Sequence, residues 1–110
     1  MTPLRAAAIL SLALVVLAPP PAFAAKGSKE AKAAYKKGVA AGNTGKLGDA
    51  IKHFAEATRL DRKHDRAWRD LGRAYLFKDR YVEAVAALSH AAALNKRSFN
   101  AKRDLGRAYL

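Results

Sequence analysis

The sequence predicts an all-α protein of antiparallel helix-hairpin repeats, with about two and a half repeats in the chain. The octamer RDLGRAYL at residues 69–76 recurs letter for letter at residues 103–110, 34 residues later. A fixed period of roughly 20–50 residues is typical of stacked repeats. Small and apolar residues at 50–60 recur at 84–94 with the same offset. Their i, i+3, i+4, i+7 spacing is helical, so each repeat is predicted to be a pair of helices.

Residues 1–24 are predicted to be a secretory signal peptide. Arg5 supplies a positive charge, an apolar run (AAAILSLALVVLA) follows, and A-F-A at 22–24 offers small residues for cleavage. A membrane span needs roughly 20 continuous apolar residues, and three prolines interrupt this run earlier. A cleaved leader is therefore favoured over an anchor. We expect export to the bacterial periplasm or the cell exterior, with 25–30 as a short lead-in.

The repeat domain is predicted to span residues 31–110. Residues 31–64 form the first repeat, 65–98 the second, and 99–110 the first helix of an incomplete third. The second helix is expected at 48–60, the third at 65–77, the fourth at 81–94 and the fifth from 99. Asp65 is a candidate N-cap of the third helix, because its side chain can accept a hydrogen bond from a free backbone N–H.

Each unit combines a Leu-Gly-x-x-Tyr element with an Ala-x-x-x-Phe/Leu-x-x-Ala element. The best copy consists of Trp68, Leu71, Gly72, Tyr75, Ala84, Leu88 and Ala91. This pattern resembles the tetratricopeptide repeat. The resemblance covers about residues 31–110 and implies a right-handed α-solenoid. It also implies structural roles for the equivalent residues Gly38, Ala50, Phe54, Ala57, Leu105, Gly106 and Tyr109.

Glycine is kept at the same place in all three leading helices, at Gly38, Gly72 and Gly106. Glycine inside a helix costs about 1 kcal/mol relative to alanine. Its retention predicts that a neighbouring helix occupies the space of a Cβ atom. Trp68 and Tyr75 are likewise expected to fill the space between helices.

No arrangement of side chains in the sequence indicates catalysis. The three histidines form no ligand pair at helical spacing, and no HExxH motif occurs. Glu56 and Asp61 lie near a predicted helix end, where charged residues are common. The chain contains no cysteine, which excludes disulfides and thiolate ligands. We therefore expect a protein that is not an enzyme and that needs no metal or cofactor.

The chain carries 21 basic and 9 acidic residues, a net charge of +12. Arg66, Arg69 and Arg73 follow an i, i+3, i+7 spacing and share one helix face. The candidate partner-binding residues are Lys32, Arg66, Arg69, Arg73, Arg103 and Arg107. The resemblance implies that these leading helices line a concave groove for an extended peptide. A solvated face, with Asp70 and Asp104 as intrahelical partners, is the structural alternative.

These observations predict an exported protein-interaction scaffold whose partner segment is anionic. The alternative function is adhesion of a cationic helical protein to anionic envelope lipid or polymer. Export disfavours nucleic acid as the partner. No second helix follows the fifth in this sequence, so Leu105, Gly106 and Tyr109 are expected to be partly bare. We expect a longer repeat array or self-association through this helix.

Overall fold

The computed structural model describes residues 28–110, and the all-α prediction is confirmed. The five helices are α1 (Lys29–Asn43), α2 (Leu47–Leu60), α3 (Asp65–Phe77), α4 (Tyr81–Leu94) and α5 (Phe99–Tyr109). The predicted signal peptide at 1–24 lies outside the described residues. Within residues 28–110, no helix is both long enough and apolar enough to cross a membrane.

The helices pack as antiparallel pairs in chain order. The most extensive contacts join α1 with α2 and α3 with α4, and smaller interfaces join α2 with α3 and α4 with α5. A few contacts also connect α3 with α5. The leading helices α1, α3 and α5 therefore belong to successive units, and α2 and α4 each lie between two of them.

Three of the helices begin at a side chain that accepts a backbone hydrogen bond. Ser28 and Ser98 cap α1 and α5, each accepting from the N–H three residues later at 3.2 Å. At α3, Nδ1 of His64 accepts from the backbone N–H of Ala67 at 3.2 Å. The prediction that Asp65 is this cap is wrong. Asp65 is instead the first helical residue, where its negative charge favours the positive end of the helix dipole.

The turns inside the two complete hairpins share one backbone conformation. Gly45 in the first turn has a φ of 76°, and Asp79, 34 residues later, has a φ of 58°. Glycine adopts this left-handed region without steric penalty, and Asp tolerates it better than most side chains. The repeat period therefore extends to the turn geometry.

The core consists mostly of alanine with a few large side chains. Phe54, Leu71 and Leu88 are buried in it together with the small residues of all five helices. Trp68 and Tyr75 are only half-buried, packed against the edge of this core. The Trp68 indole N–H donates to the carbonyl of Arg62 at 3.0 Å, and its ring stacks on His90 at 4.2 Å between centroids.

Two glycines form the closest approaches between paired helices. A Cβ atom built on Gly38 would lie 2.5 Å from a ring carbon of Phe54 on α2. A Cβ atom on Gly72 would lie 2.5 Å from Cγ of Leu88 on α4. Each glycine therefore provides the space that the large side chain of the trailing helix occupies. At Gly106, by contrast, no described atom lies within 4 Å of such a Cβ.

A polar contact joins α1 to α3 across the first repeat boundary. The hydroxyl of Tyr35 donates to Oδ2 of Asp70 at 2.6 Å. Burial and this hydrogen bond to a carboxylate raise the pKa of Tyr35 to about 12. The neutral phenol is thus the form that the folded chain favours.

The two copies of the octamer allow a matched test of the glycine contacts. Gly72→Ala should lower the free energy of unfolding by about 1–2 kcal/mol, because overpacking against the buried Leu88 outweighs the gain in helix propensity. Gly106→Ala should raise it by up to about 1 kcal/mol, since only the propensity gain applies there. Urea unfolding followed by circular dichroism measures both. Equal effects of the two substitutions would contradict the described packing.

The Tyr35–Asp70 contact predicts a stability loss at alkaline pH. Because folding raises the pKa of Tyr35, its stabilisation is complete below pH 10 and is lost as the pH rises through about 12. Tyr35→Phe should cost about 1 kcal/mol at pH 8 and reduce the decline above pH 10. Urea unfolding at several pH values compares the two proteins, and deprotonation of lysines affects both alike. Parallel declines would show that the phenol makes no such contribution.

Candidate functional site

The predicted partner-binding residues lie on the three leading helices. We call Arg66, Arg69 and Arg73 of α3 with Arg103 and Arg107 of α5 the arginine strip. Lys32 lies on α1 and is exposed. Arg66 is also exposed and makes no ion pair within 4 Å among residues 28–110. Of all these residues, Arg66 and Lys32 are therefore the most open to a partner.

Three arginines of the strip surround one buried carboxylate. The Asp104 side chain is only 1% exposed, and Arg73 of α3 lies 3.7 Å from it. Arg103 and Arg107, on its own helix, lie 3.7 and 3.9 Å away. Within the described part of the chain, neither carboxylate oxygen accepts a hydrogen bond. Since a buried charge needs compensation, these ion pairs are what allows Asp104 to lie between α3 and α5.

The three guanidinium groups keep most of their own surface exposed. The exposed fractions of the Arg73, Arg103 and Arg107 side chains are 45%, 51% and 62%. One carboxylate neutralises one of the three positive charges. The cluster around Asp104 therefore retains two positive charges that face solvent.

Arg69 differs from the rest of the strip. Its side chain is 24% exposed, and its Nε lies 3.5 Å from Oδ1 of Asp70, the carboxylate that also accepts from Tyr35. This Nε is buried and donates no hydrogen bond to any described group. Arg69 is thus largely engaged in the α1–α3 contact, so the structure offers a partner less of it than the sequence spacing predicts.

Two clefts border the strip. The larger, about 270 Å³, lies between α1, α2 and α3. Its lining consists of Val39, Gly42, Asn43, Leu47, Ala50, Phe54, Asp70, Arg73, Ala74 and Phe77. The smaller, about 60 Å³, lies between α3 and α5 and is lined by Arg73, Leu76, Phe77 and Arg107. Arg73 and Phe77 line both, so the two clefts adjoin.

Sequence reasoning missed two features of this surface. Phe77 is 65% exposed beside Arg73, although its position at the end of α3 gave no signal of a binding role. The ion pair from Arg73 to Asp104 crosses between helices and was not predicted. The repeat offset contains a signal for it, because Asp104 is the equivalent of Asp70, which also receives a contact from the preceding leading helix.

The described side chains show no arrangement for metal chemistry. Among residues 28–110, no group of three or more His, Cys, Asp or Glu could hold a metal ion. His64 caps α3 and His90 stacks on Trp68, so both have structural contacts. What the site offers chemically is a set of fixed cations beside apolar surface.

The chain was compared with known proteins. The family model described as "Tetratricopeptide repeat" matches residues 44–103. No curated protein sequence matches the chain. Among solved structures, the chain is similar to the Arabidopsis OM64 TPR domain, with 21% sequence identity and a TM-score of 0.43. That match covers 74% of this chain and 95% of the OM64 domain.

The family match spans more than half of the chain and includes α2, α3 and α4. It contains both the Gly72–Leu88 contact and most of the residues that carried the predicted resemblance. The chain therefore belongs to the tetratricopeptide repeat family.

Proposed function

We propose that this protein is an interaction module that holds an acidic segment of a partner protein along α1, α3 and α5. Tetratricopeptide repeats generally serve as protein–protein interaction modules, and their scaffold is typically non-catalytic. The family supports a protein partner, and the charge of the arginine strip supports an acidic one.

The observation that carries this proposal is the imbalance of charge on the leading helices. Five arginines form the strip, while two carboxylates, Asp70 and Asp104, accompany them. Arg73 and Arg107 line the same small cleft, which places two guanidinium groups next to each other. Guanidinium groups pair with carboxylates through forked contacts, for which lysine is less suited.

The expected affinity is modest. An exposed ion pair contributes about 0.2–1 kcal/mol, so three or four of them give weak binding that salt reduces. The apolar lining of the larger cleft, beside Arg73 and Phe77, adds contact area for one large side chain of the partner. We propose a micromolar-class interaction whose dissociation constant increases with ionic strength.

We further propose that the partner is met outside the cytoplasm. This rests on the apolar run and the small-residue cleavage sequence before residue 25. N-terminal sequencing of the protein from its host should begin at Ala25 or Lys26. Recovery of intact Met1 from a membrane fraction would contradict export with cleavage.

A second candidate function is supported by the net charge of +12 alone. A cationic helical protein can adhere to anionic lipid or polymer without a defined site. In that case the position of the charges would matter little, and any set of exposed arginines would contribute equally. This difference separates the two functions by experiment.

Replacing arginine by lysine tests the site while keeping the net charge. In the triple variant Arg66→Lys, Arg73→Lys, Arg107→Lys, each replacement retains a cation, including the one beside Asp104. It should weaken binding of a fluorescent glutamate-rich peptide about tenfold, equivalent to about 1.4 kcal/mol, because forked contacts are lost. Fluorescence anisotropy measures the dissociation constant.

The matched control is Arg59→Lys, Arg62→Lys, Arg97→Lys, which changes three exposed arginines away from the strip. It should leave peptide binding within about twofold of the unmodified chain, since salt-screened distant charges contribute little. Vesicles containing anionic phospholipid serve as the second ligand. If both triples bind peptide and vesicles as the unmodified chain does, bulk charge is sufficient and the adhesion function is correct.

A further inference from the structure

The two identical octamers have unequal surroundings. Residues 69–76 lie in α3 and residues 103–110 cover most of α5, with the same eight side chains in the same order. Because the sequences are identical, any helix face in one copy has the same chemical composition in the other. The contacts of the first copy therefore show what the second copy can bind.

In the first copy, α4 covers the face that contains Leu71 and Gly72. Leu71 is 5% exposed and packs in one cluster with Ala87 of α4. Leu88 of α4 occupies the space above Gly72, and the backbone oxygen of Ala84 lies 3.3 Å from a Cβ built there. Phe54 of α2 occupies the equivalent space above Gly38 in the preceding unit.

In the second copy, the equivalent face is open. Gly106 is exposed and no described atom comes within 4 Å of a Cβ placed on it. Leu105 is only half-buried, and Tyr109 is 70% exposed. The remaining side of α5 is covered, since Ala101, Asp104 and Ala108 are buried.

The helices that cover the first two glycines share a sequence pattern. Both α2, at 49–57, and α4, at 83–91, contain an acidic residue, then Ala, three residues, Phe or Leu, two residues and Ala. In both, the large residue is the one that lies above the glycine. The pattern therefore specifies a helix that fits the Leu-Gly-x-x-Tyr face.

Charge disfavours a second copy of α5 as the occupant. The open face of α5 includes Lys102, the equivalent of Trp68, and α5 also exposes Arg103 and Arg107. Two such helices would bring these cations together. By contrast, α4 contains Glu83 and neither lysine nor arginine, so a helix of its composition meets the face without repulsion.

We infer that the open face of α5 is a docking site for a partner helix with the pattern acidic-Ala-x-x-x-Phe/Leu-x-x-Ala. The large residue of the partner lies above Gly106, its alanines allow close approach, and its apolar face covers Leu105 and Tyr109. This site is separate from the arginine strip and takes a helix rather than an extended acidic segment.

The probe is a capped synthetic peptide with the sequence of residues 80–95, RYVEAVAALSHAAALN. Fluorescence anisotropy of the labelled peptide with the full chain should show saturable, one-to-one binding. Gly106→Ala in the chain should weaken it at least tenfold, because the added methyl group occupies the space of the peptide leucine. The peptide substitution Leu88→Ala should weaken it by a similar factor.

The matched control in the chain is Asn100→Ala, an exposed position of α5 outside the open face. It should leave peptide affinity unchanged. Since Gly106→Ala adds helix propensity, circular dichroism should show a chain at least as helical as the unmodified one, so lost binding cannot come from unfolding.

Three results would overturn the inference. One is the absence of saturable peptide binding, and another is binding that Gly106→Ala leaves unchanged, as exchange with α4 at Gly72 would produce. The third is sedimentation of the chain alone as a dimer that Gly106→Ala dissociates, which would make a second copy the occupant. Binding of the glutamate-rich peptide should be unaffected by Gly106→Ala, so failure of either proposal leaves the other intact.

Discussion

The structure depends on one contact, in which a large apolar side chain of a trailing helix lies above a glycine of the leading helix. Phe54 above Gly38 and Leu88 above Gly72 set the distance between the helices of each hairpin. The alanines around them are effective because the helices are already close, which lets small side chains pack without cavities. Glycine lowers the intrinsic stability of each helix by about 1 kcal/mol, and the tertiary contact more than offsets this. The chain is therefore stabilised mainly by pairing between helices.

A second constraint is electrostatic and acts between successive units. Tyr35 reaches Asp70 from α1, and Arg73 reaches Asp104 from α3, so each later leading helix contributes a carboxylate to the one before it. The first contact is a short hydrogen bond, whereas the second is a looser ion pair with two further arginines nearby. The surplus of guanidinium groups at the second contact is not needed to hold the helices together. That surplus is the physical basis for proposing an anionic partner on this surface.

Much of the fold could be predicted from the sequence because the repeat period fixes equivalent positions. The octamer and the Gly38, Gly72, Gly106 series predicted the helices and the order of their pairing, and the bounds of α3 and α4 agree with the structure. The cap of α3 was predicted at Asp65 instead of His64, since a histidine nitrogen is a less usual acceptor there. The candidate surface was less predictable. Helical spacing placed the arginines on a common face, but it could not show that Arg69 is partly buried against Asp70. The exposed Phe77 is likewise a result of tertiary packing.

The most direct test of this account compares backbone hydrogen exchange in the two octamers. Their identical sequences give nearly equal intrinsic exchange rates, so differences in protection report packing alone. The account predicts that amides at 71–74, under α4, exchange at least tenfold more slowly than amides at 105–108 on the open side of α5. Adding the peptide with the sequence of residues 80–95 should slow exchange at 105–108 selectively. Equal protection of the two octamers in the unbound chain would contradict the claim that the glycine contact determines stability.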